Sequence, residues 1–118
     1  MAYNTGWIGF DLDGTLAVYN GWKGAETIGE PIAPMVELVK QFLRNGHTVK
    51  IFPARVASCL TEQQRAQARA SIAAWTKQHI GTELEAVSEK DFNMIEYYDD
   101  RAIQVIFNTG VINVYNPD

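Results

Sequence analysis

The chain has 118 residues, of which 47% are apolar and 20% charged, and its formal net charge is −4. This size and this apolar content are those of one folded domain, so a disordered or collagen-like chain is excluded. The acidic balance argues against broad binding to nucleic acid or to an anionic membrane surface. We therefore expect a single domain over residues 1–118.

The cysteine content and the apolar runs bear on the cellular compartment. The single cysteine, Cys59, allows no disulfide within the chain, which is typical of a reducing compartment. No apolar run approaches the ~20 residues of a membrane-spanning helix. Residues 1–5 lack the basic region that opens a secretory signal peptide. These features predict a cytoplasmic protein without a membrane partner.

A strand, a long loop, a helix and a second strand are predicted in the first half of the chain. The apolar run Trp7–Phe10 predicts a buried strand. Residues 17–33 contain glycines and a proline without apolar periodicity, so a loop is predicted there. Pro34 then favours a helix start, and the Asn-Gly pair at 45–46 favours its end. The run Thr48–Phe52 predicts the second strand.

The second half begins with a helix and continues with strands. Thr61 and Gln64 match the capping box that starts a helix, and Gly81 is its predicted end. Ala86–Val87 is a weak strand candidate, and Met94–Tyr98 is a stronger one.

Two apolar runs near the C-terminus, Ile103–Phe107 and Val111–Tyr115, predict a β-hairpin, although Arg101–Val105 also fits a helical turn. The order of the elements predicts an α/β fold. We expect a three-layer, Rossmann-like, mostly parallel sheet with helices on both faces, followed by this hairpin. Ligands bind such sheets beyond the carboxyl ends of the strands. The two acidic segments of this sequence, Asp11 with Asp13 and Asp99 with Asp100, lie at such ends.

The first acidic cluster is the segment 11–15, Asp-Leu-Asp-Gly-Thr, directly after the first predicted strand. Alternate residues of an extended segment share a face, so Asp11 and Asp13 point to the same region, and Gly14 allows a sharp turn. Close carboxylates repel each other unless a proton or a cation joins them, and Mg²⁺ is the simplest such cation. A plain turn without a further function is the alternative interpretation.

The segment Phe10–Leu16 resembles the first motif of the haloacid dehalogenase-like (HAD) hydrolases, most of which are Mg²⁺-dependent phosphatases. Tyr97–Arg101 resembles the fourth motif of that family, an acidic pair after an apolar strand. Lys90 takes a place like that of the third-motif lysine, and Ile51–Arg55 stands where the second motif belongs. The resemblance spans essentially the whole chain and implies a compact phosphatase-type member.

The resemblance also implies roles for the charged residues. Asp11 would attack phosphorus and become a transient aspartyl phosphate, and Asp13 would act as general acid and then as general base. Mg²⁺ would be bound by Asp11, by the carbonyl oxygen of Asp13 and by either Asp99 or Asp100. Lys90 would neutralise Asp11 and the phosphoryl oxygens, unless it is an ordinary solvated surface lysine.

Candidates for binding the phosphate or the rest of the substrate are Gly14, Thr15, Ala54, Arg55, Trp22 and Lys23. Ala54 offers a backbone N–H, whereas Arg55 either binds phosphate or pairs with a nearby carboxylate. Trp22 and Lys23 lie in the loop that leaves the first motif. They either line the entrance of the site or, in the case of Trp22, anchor the loop to the core.

Pro53 departs from the family pattern, because a Thr or Ser whose hydroxyl binds the phosphoryl group stands there in the family. The loss of one such donor costs about 2–4 kcal/mol of transition-state stabilisation. A phosphate-binding or regulatory domain without turnover is therefore the alternative function. A receiver-like signalling domain is disfavoured because the acidic pair comes last in the chain, and no phosphate-loop or dinucleotide-binding motif is present.

No segment of the chain is long enough for a large cap domain, since residues 17–33 are the longest predicted loop. We therefore expect an open site with that loop as a flap. An open site favours a bulky phosphorylated substrate that shields the reaction itself, or a homo-oligomer in which a second subunit supplies the cover.

Overall fold

The computed structural model describes residues 6–59 and 61–113. Their helices and strands, in chain order, are β1 (Trp7–Phe10), α1 (Ala33–Arg44), β2 (Thr48–Ile51), α2 (Ala54–Ala57), α3 (Glu62–His79), β3 (Met94–Tyr98), β4 (Gln104–Val105) and β5 (Ile112–Asn113). Among these described residues, no helix is both long and apolar enough to cross a membrane.

A parallel sheet of three strands, in the order β2-β1-β3, forms the centre of the molecule. Phe10 at the end of β1 lies opposite Ile51 in β2 and Tyr98 in β3. The carboxyl ends of all three strands therefore meet at one edge of the sheet. The predicted α/β class with a parallel sheet is confirmed, whereas the full three-layer Rossmann-like arrangement stays a prediction.

The weak strand candidate Ala86–Val87 is not an extended strand, although the segment pairs with β2. Only a single parallel bridge joins Ala86 to Ile51, although the backbone N–H of Val87 also donates to the carbonyl of Ile51 at 2.8 Å. The segment is too short to continue the ladder, since exposed polar residues follow it from Ser88.

The core combines side chains of the sheet with side chains of α1 and α3. The ring of Phe10 stacks on Tyr98 at 4.7 Å between centroids and meets Phe42 of α1 edge-on at 6.2 Å. The core cluster includes Ile8, Phe10, Leu12, Leu16, Val36, Val39, Val49, Ile51, Val56, Ile72 and Trp75. Because Leu12 and Leu16 belong to this cluster, the segment after β1 is anchored on both sides of the Asp-Gly turn.

Both long helices begin and end close to the predicted positions. Pro34 lies in the first turn of α1, and Asn45 caps its end. Thr61 and Gln64 form the predicted capping box at the start of α3, with hydrogen bonds of 3.1 and 3.2 Å. The short helix α2 was not predicted; Pro53 is its N-cap residue.

A loop over residues 18–30 leaves the first motif and returns to the start of α1; it is called the 18–30 loop below. An antiparallel bridge between Ala17 and Pro31 closes its base, and the N–H of Val18 donates to Glu30. The indole N–H of Trp75 in α3 donates to the carbonyl of Gly29 at 2.9 Å. The predicted long loop is thus confirmed, and it is fastened both at its base and to α3.

The predicted C-terminal hairpin is confirmed in its described part, where Gln104 pairs with Asn113 and Val105 with Ile112. The first strand, Gln104–Val105, is shorter than predicted. The end of the second predicted strand, residues 114–115, lies outside the described residues.

Candidate functional site

Three carboxylates converge at the carboxyl edge of the sheet, and we call Asp11, Asp99 and Asp100 the acidic cluster. Asp11 follows β1, and Asp99 and Asp100 follow β3. The N–H of Asp11 donates to the carbonyl of Tyr98 at 2.9 Å. One carboxylate oxygen of each residue lies within 4.8 Å of the others. Oxygens bound to one octahedral Mg²⁺ are about 3–4 Å apart, given Mg–O distances of about 2.1 Å. A small adjustment therefore fits the cluster to Mg²⁺.

Gly14 and Thr15 hold Asp100 in this cluster. The N–H of Asp100 donates to the buried Thr15 hydroxyl at 3.0 Å, and that hydroxyl lies 3.1 Å from the Asp100 carboxylate and 3.4 Å from that of Asp11. Gly14 has φ +93°, and a Cβ there would lie 2.9 Å from a carboxylate oxygen of Asp100. Both residues were candidates for phosphate binding, but the Thr15 hydroxyl contacts the acidic cluster and the Gly14 N–H donates to the carbonyl of Ala17 at 2.8 Å.

Asp99 is held by its own neighbours along the chain. The hydroxyl of Tyr97 donates to one carboxylate oxygen of Asp99 at 2.5 Å, and the N–H of Arg101 donates to the other at 2.6 Å. Burial, together with this hydrogen bond to Asp99, raises the pKa of Tyr97 far above its ordinary value. Tyr97 is therefore a hydrogen-bond donor throughout the ordinary pH range.

The electrostatics of the cluster show the repulsion that the sequence predicts. Burial raises the pKa of Asp11 to about 7, and the hydrogen bond with Asp100 and the charge of Asp99 act in the same direction. Burial also acts to raise the pKa of Asp100, but hydrogen bonds from Asp11 and Thr15 outweigh it and lower that pKa. Without a cation, Asp11 and Asp100 thus share a proton below neutral pH.

The carboxylate of Asp13 lies outside the acidic cluster and pairs with Arg55. Two hydrogen bonds, of 2.9 and 2.7 Å, join the two side chains in a bidentate ion pair. The Arg55 side chain is 3% exposed and that of Asp13 is 20% exposed. The predicted convergence therefore holds for Asp11, Asp99 and Asp100, whereas the Asp13 side chain takes a different partner.

Arg55 also fastens the 18–30 loop. Its Nη1 donates to the carbonyls of Ala25 and Thr27 at 3.1 and 3.0 Å. Its guanidinium lies over the ring of Trp22, 5.1 Å from the ring centroid. Of the two interpretations of Arg55, the structure shows the pairing with a carboxylate. Most of its N–H groups are engaged within the protein.

A cavity of about 770 Å³ opens above the acidic cluster. It is lined by Asp11, Asp13, Tyr19, Trp22, Gly24, Ala25, Glu26, Ala54, Arg55, Ser58, Cys59, Gln64, Gln67, Asp99 and Arg101. The walls come from Asp11, Asp13 and Asp99, from the 18–30 loop, from α2 and from the first turns of α3. Gly14, Thr15 and Asp100 instead line a second, smaller cavity of about 310 Å³.

Most of the predicted site residues are brought together, but two lysines are not. Lys23 and Lys90 are exposed, and neither is among the residues that line the large cavity. The residue after Lys90 is Asp91, whose carboxylate accepts the indole N–H of Trp7 at the start of β1, at the opposite end of that strand from Asp11.

Several cavity residues were missed by the sequence analysis. Arg101 had a signal, since it directly follows the acidic pair. Tyr19 had a weaker signal in its position in the flap loop. Gln64 and Gln67 had none, because helical spacing does not say which polar face of α3 looks into a cavity.

Comparisons with protein-family models, with curated proteins and with solved structures found no match to this chain. The resemblance of Phe10–Leu16 and Tyr97–Arg101 to hydrolase motifs therefore stays a prediction from the residues themselves. Any function has to be inferred from the side chains of the cavity and from their surroundings.

Proposed function

We propose that this protein is a Mg²⁺-dependent phosphomonoester hydrolase that acts through an aspartyl phosphate on Asp11. The observations that carry the proposal are the convergence of Asp11 with Asp99 and Asp100, and the cavity that Asp11, Asp13 and Asp99 line. A carboxylate in this position serves as a nucleophile only if neighbouring negative charge is offset. The HAD-like motif at residues 10–16 supports the same assignment.

The chain's own residues divide the work of the reaction. Asp11 supplies the attacking oxygen at the base of the cavity. Asp13 transfers protons, first to the leaving oxygen and then from the water that hydrolyses the aspartyl phosphate. Both carboxylate oxygens of Asp13 accept hydrogen bonds from Arg55, so the proposed proton transfer requires Asp13 to release at least one of these bonds and take up a proton on that oxygen. Asp11, the carbonyl of Asp13 and either Asp99 or Asp100 would hold Mg²⁺. The bound ion would supply positive charge that offsets the repulsion between Asp11 and phosphate.

The proposal includes the finer architecture and the location. The strand order β2-β1-β3, with the nucleophile after the central strand, supports a three-layer Rossmann-like domain of the HAD-like class. A cytoplasmic location is part of the proposal, because Cys59 is the only cysteine. The 18–30 loop serves as the flap over the site, and a second copy of the chain is an alternative cover.

A second candidate function is phosphate binding or regulation without turnover. Two observations favour it: Pro53 provides no hydroxyl where the family has one, and Lys90 is not among the residues that line the cavity. The remaining donor at that position is the backbone N–H of Ala54, which lines the cavity as the first residue of α2.

Hydrolysis of p-nitrophenyl phosphate separates the two functions. Under the first proposal, the purified protein releases p-nitrophenol only with Mg²⁺, and Asp11→Asn abolishes the release. Glu83→Gln is the matched control, because it makes the same carboxylate-to-amide change at an exposed position outside the cavity. Absence of turnover in a folded protein that still binds inorganic phosphate by calorimetry would establish the second function instead.

A further inference from the structure

We propose that Trp22 is a stacking surface that selects phosphate esters whose leaving group carries a flat aromatic ring. This inference rests on the proposed function and names its substrate class. Trp22 is 57% exposed and lines the same cavity as Asp11 and Asp13. An indole ring at the mouth of a cavity offers a large flat apolar face, which a ring of the substrate covers with a gain in free energy.

The ring of Trp22 is held in place by its neighbours. The guanidinium of Arg55 lies 5.1 Å from the ring centroid. Arg55 is itself fixed by Asp13 and by the carbonyls of Ala25 and Thr27, two residues of the same loop. The ring therefore contacts a buried cation, and because Trp22 is 57% exposed it keeps apolar surface that a second flat group can cover. A surface that is already ordered loses little entropy when a ligand covers it.

The size of the cavity leaves room for more than a phosphate group, and its lining includes aromatic side chains. At about 770 Å³ it lies within the range of ~300–1,000 Å³ that is typical of small-molecule sites. Tyr19 adds a second aromatic side chain from the 18–30 loop. Gln67 of α3, which also lines the cavity, donates to Glu26 of the same loop at 3.1 Å and so links the helix to the loop. An aromatic ring fits this combination better than a short polar alcohol does.

Exposure alone does not single out Trp22, and Phe92 shows the difference. Phe92 is fully exposed but does not line the cavity. It therefore supplies the matched control for a loss of aromatic surface. The flat ring has two possible sources, a nucleobase in a nucleoside monophosphate and a phenyl ring in an arylmethyl phosphate.

The experiment measures kcat/KM with Mg²⁺ for two pairs of esters. Adenosine 5′-monophosphate is compared with ribose 5-phosphate, which lacks the base, and benzyl phosphate is compared with glycerol 3-phosphate, so that the leaving group is an alcohol in all four esters. In the native protein we expect the ring-bearing member of at least one pair to be preferred. In Trp22→Leu that preference falls about 10-fold, Trp22→Phe restores most of it, and Phe92→Leu keeps it. The pair that loses its preference identifies the source of the ring.

The outcomes separate this inference from the phosphatase proposal. If Trp22→Leu lowers kcat/KM for ring-bearing and ring-free esters by the same factor, the stacking role is overturned and the phosphatase stands. If no ester is hydrolysed, binding of the same esters to the native protein is measured by calorimetry. Tighter binding of the ring-bearing ester that Trp22→Leu removes then supports the stacking role and overturns the phosphatase. Equal binding of both esters overturns the stacking role.

Discussion

The ion pair between Arg55 and Asp13 gives the most direct test of how the site is held. Replacing Arg55 with methionine keeps the length and apolar body of the side chain and removes its charge and donors. The change leaves the Asp13 carboxylate, which is 20% exposed, without its two hydrogen bonds. It also leaves the carbonyls of Ala25 and Thr27 without their shared donor.

The expected loss of stability follows from these contacts. Removing one partner of a buried ion pair costs about 3–5 kcal/mol, because the remaining charge stays uncompensated. The partial exposure of Asp13 places Arg55→Met toward the lower end of that range. The total stability of a domain is about 5–15 kcal/mol, so this single change removes a large share of it. Under the proposed function, phosphatase activity falls together with stability, because the 18–30 loop and Asp13 lose the same anchor.

The measurement is urea unfolding followed by circular dichroism. Arg44→Met is the matched control, since Arg44 pairs with Glu37 at 3.0 Å but both side chains are more than half exposed. An exposed pair contributes about 0–1 kcal/mol. Equal losses in Arg55→Met and Arg44→Met would refute the reasoning that burial makes the Arg55 pair important. A double-mutant cycle with Asp13→Asn isolates the coupling between the two side chains.

Three further predictions concern the acidic cluster and the second strand end. In the presence of a metal chelator and above pH 7, Asp11→Asn should have a larger free energy of unfolding than the native protein. The raised pKa of Asp11, about 7 against an ordinary 3.8, means that folding retains a proton that the unfolded chain releases, so native stability falls as pH rises from about 4 to 7. Identical pH dependence of urea unfolding in both proteins would contradict this. Gly14→Ala should weaken Mg²⁺ binding, measured by calorimetry, because the added Cβ would push on the Asp100 carboxylate. Gly21→Ala is the control, since Gly21 has a similar positive φ with open space around it, and this variant should bind Mg²⁺ like the native protein. Pro53→Thr should raise kcat at least about 10-fold by restoring a hydroxyl donor, since threonine is also a good N-cap for α2. An unchanged kcat in a folded variant would show that the proline is not the limiting defect.

Much of the fold could be predicted because its signals are local. The capping box of Thr61 and Gln64 is a contact between neighbours in the chain, and so is the turn at the end of α1. The place of Asp11 and Asp99 at one edge followed from their position after two strands that were predicted to be parallel. Local signals also have limits. The short helix α2 has only four residues, too few for any apolar periodicity to be visible.

The pairings between distant side chains could not be predicted from the sequence. Arg55 and Asp13 are 42 residues apart. From the sequence alone, a phosphate group and a carboxylate were equally good partners for this arginine. Which partner Arg55 takes depends on the direction of α2 after Pro53, and no local pattern of the sequence predicts that direction. The same holds for Gln67, whose contact with the 18–30 loop depends on how α3 packs against the sheet.

The two aspartates of the first motif meet opposite surroundings although only one residue separates them. Leu12, between them, is fully buried, and its carbonyl accepts the N–H groups of Leu16 and Ala17, so the chain turns at once instead of continuing as a strand. Asp11 thereby stays with two other carboxylates, while Asp13 reaches an arginine. A nucleophile and a proton-transfer group need such different surroundings, because one must attract a cation and the other must be oriented toward a leaving group. A plain Asp-Gly turn would require neither the buried leucine nor the buried arginine, which is why the site interpretation explains more of this segment than the turn interpretation does.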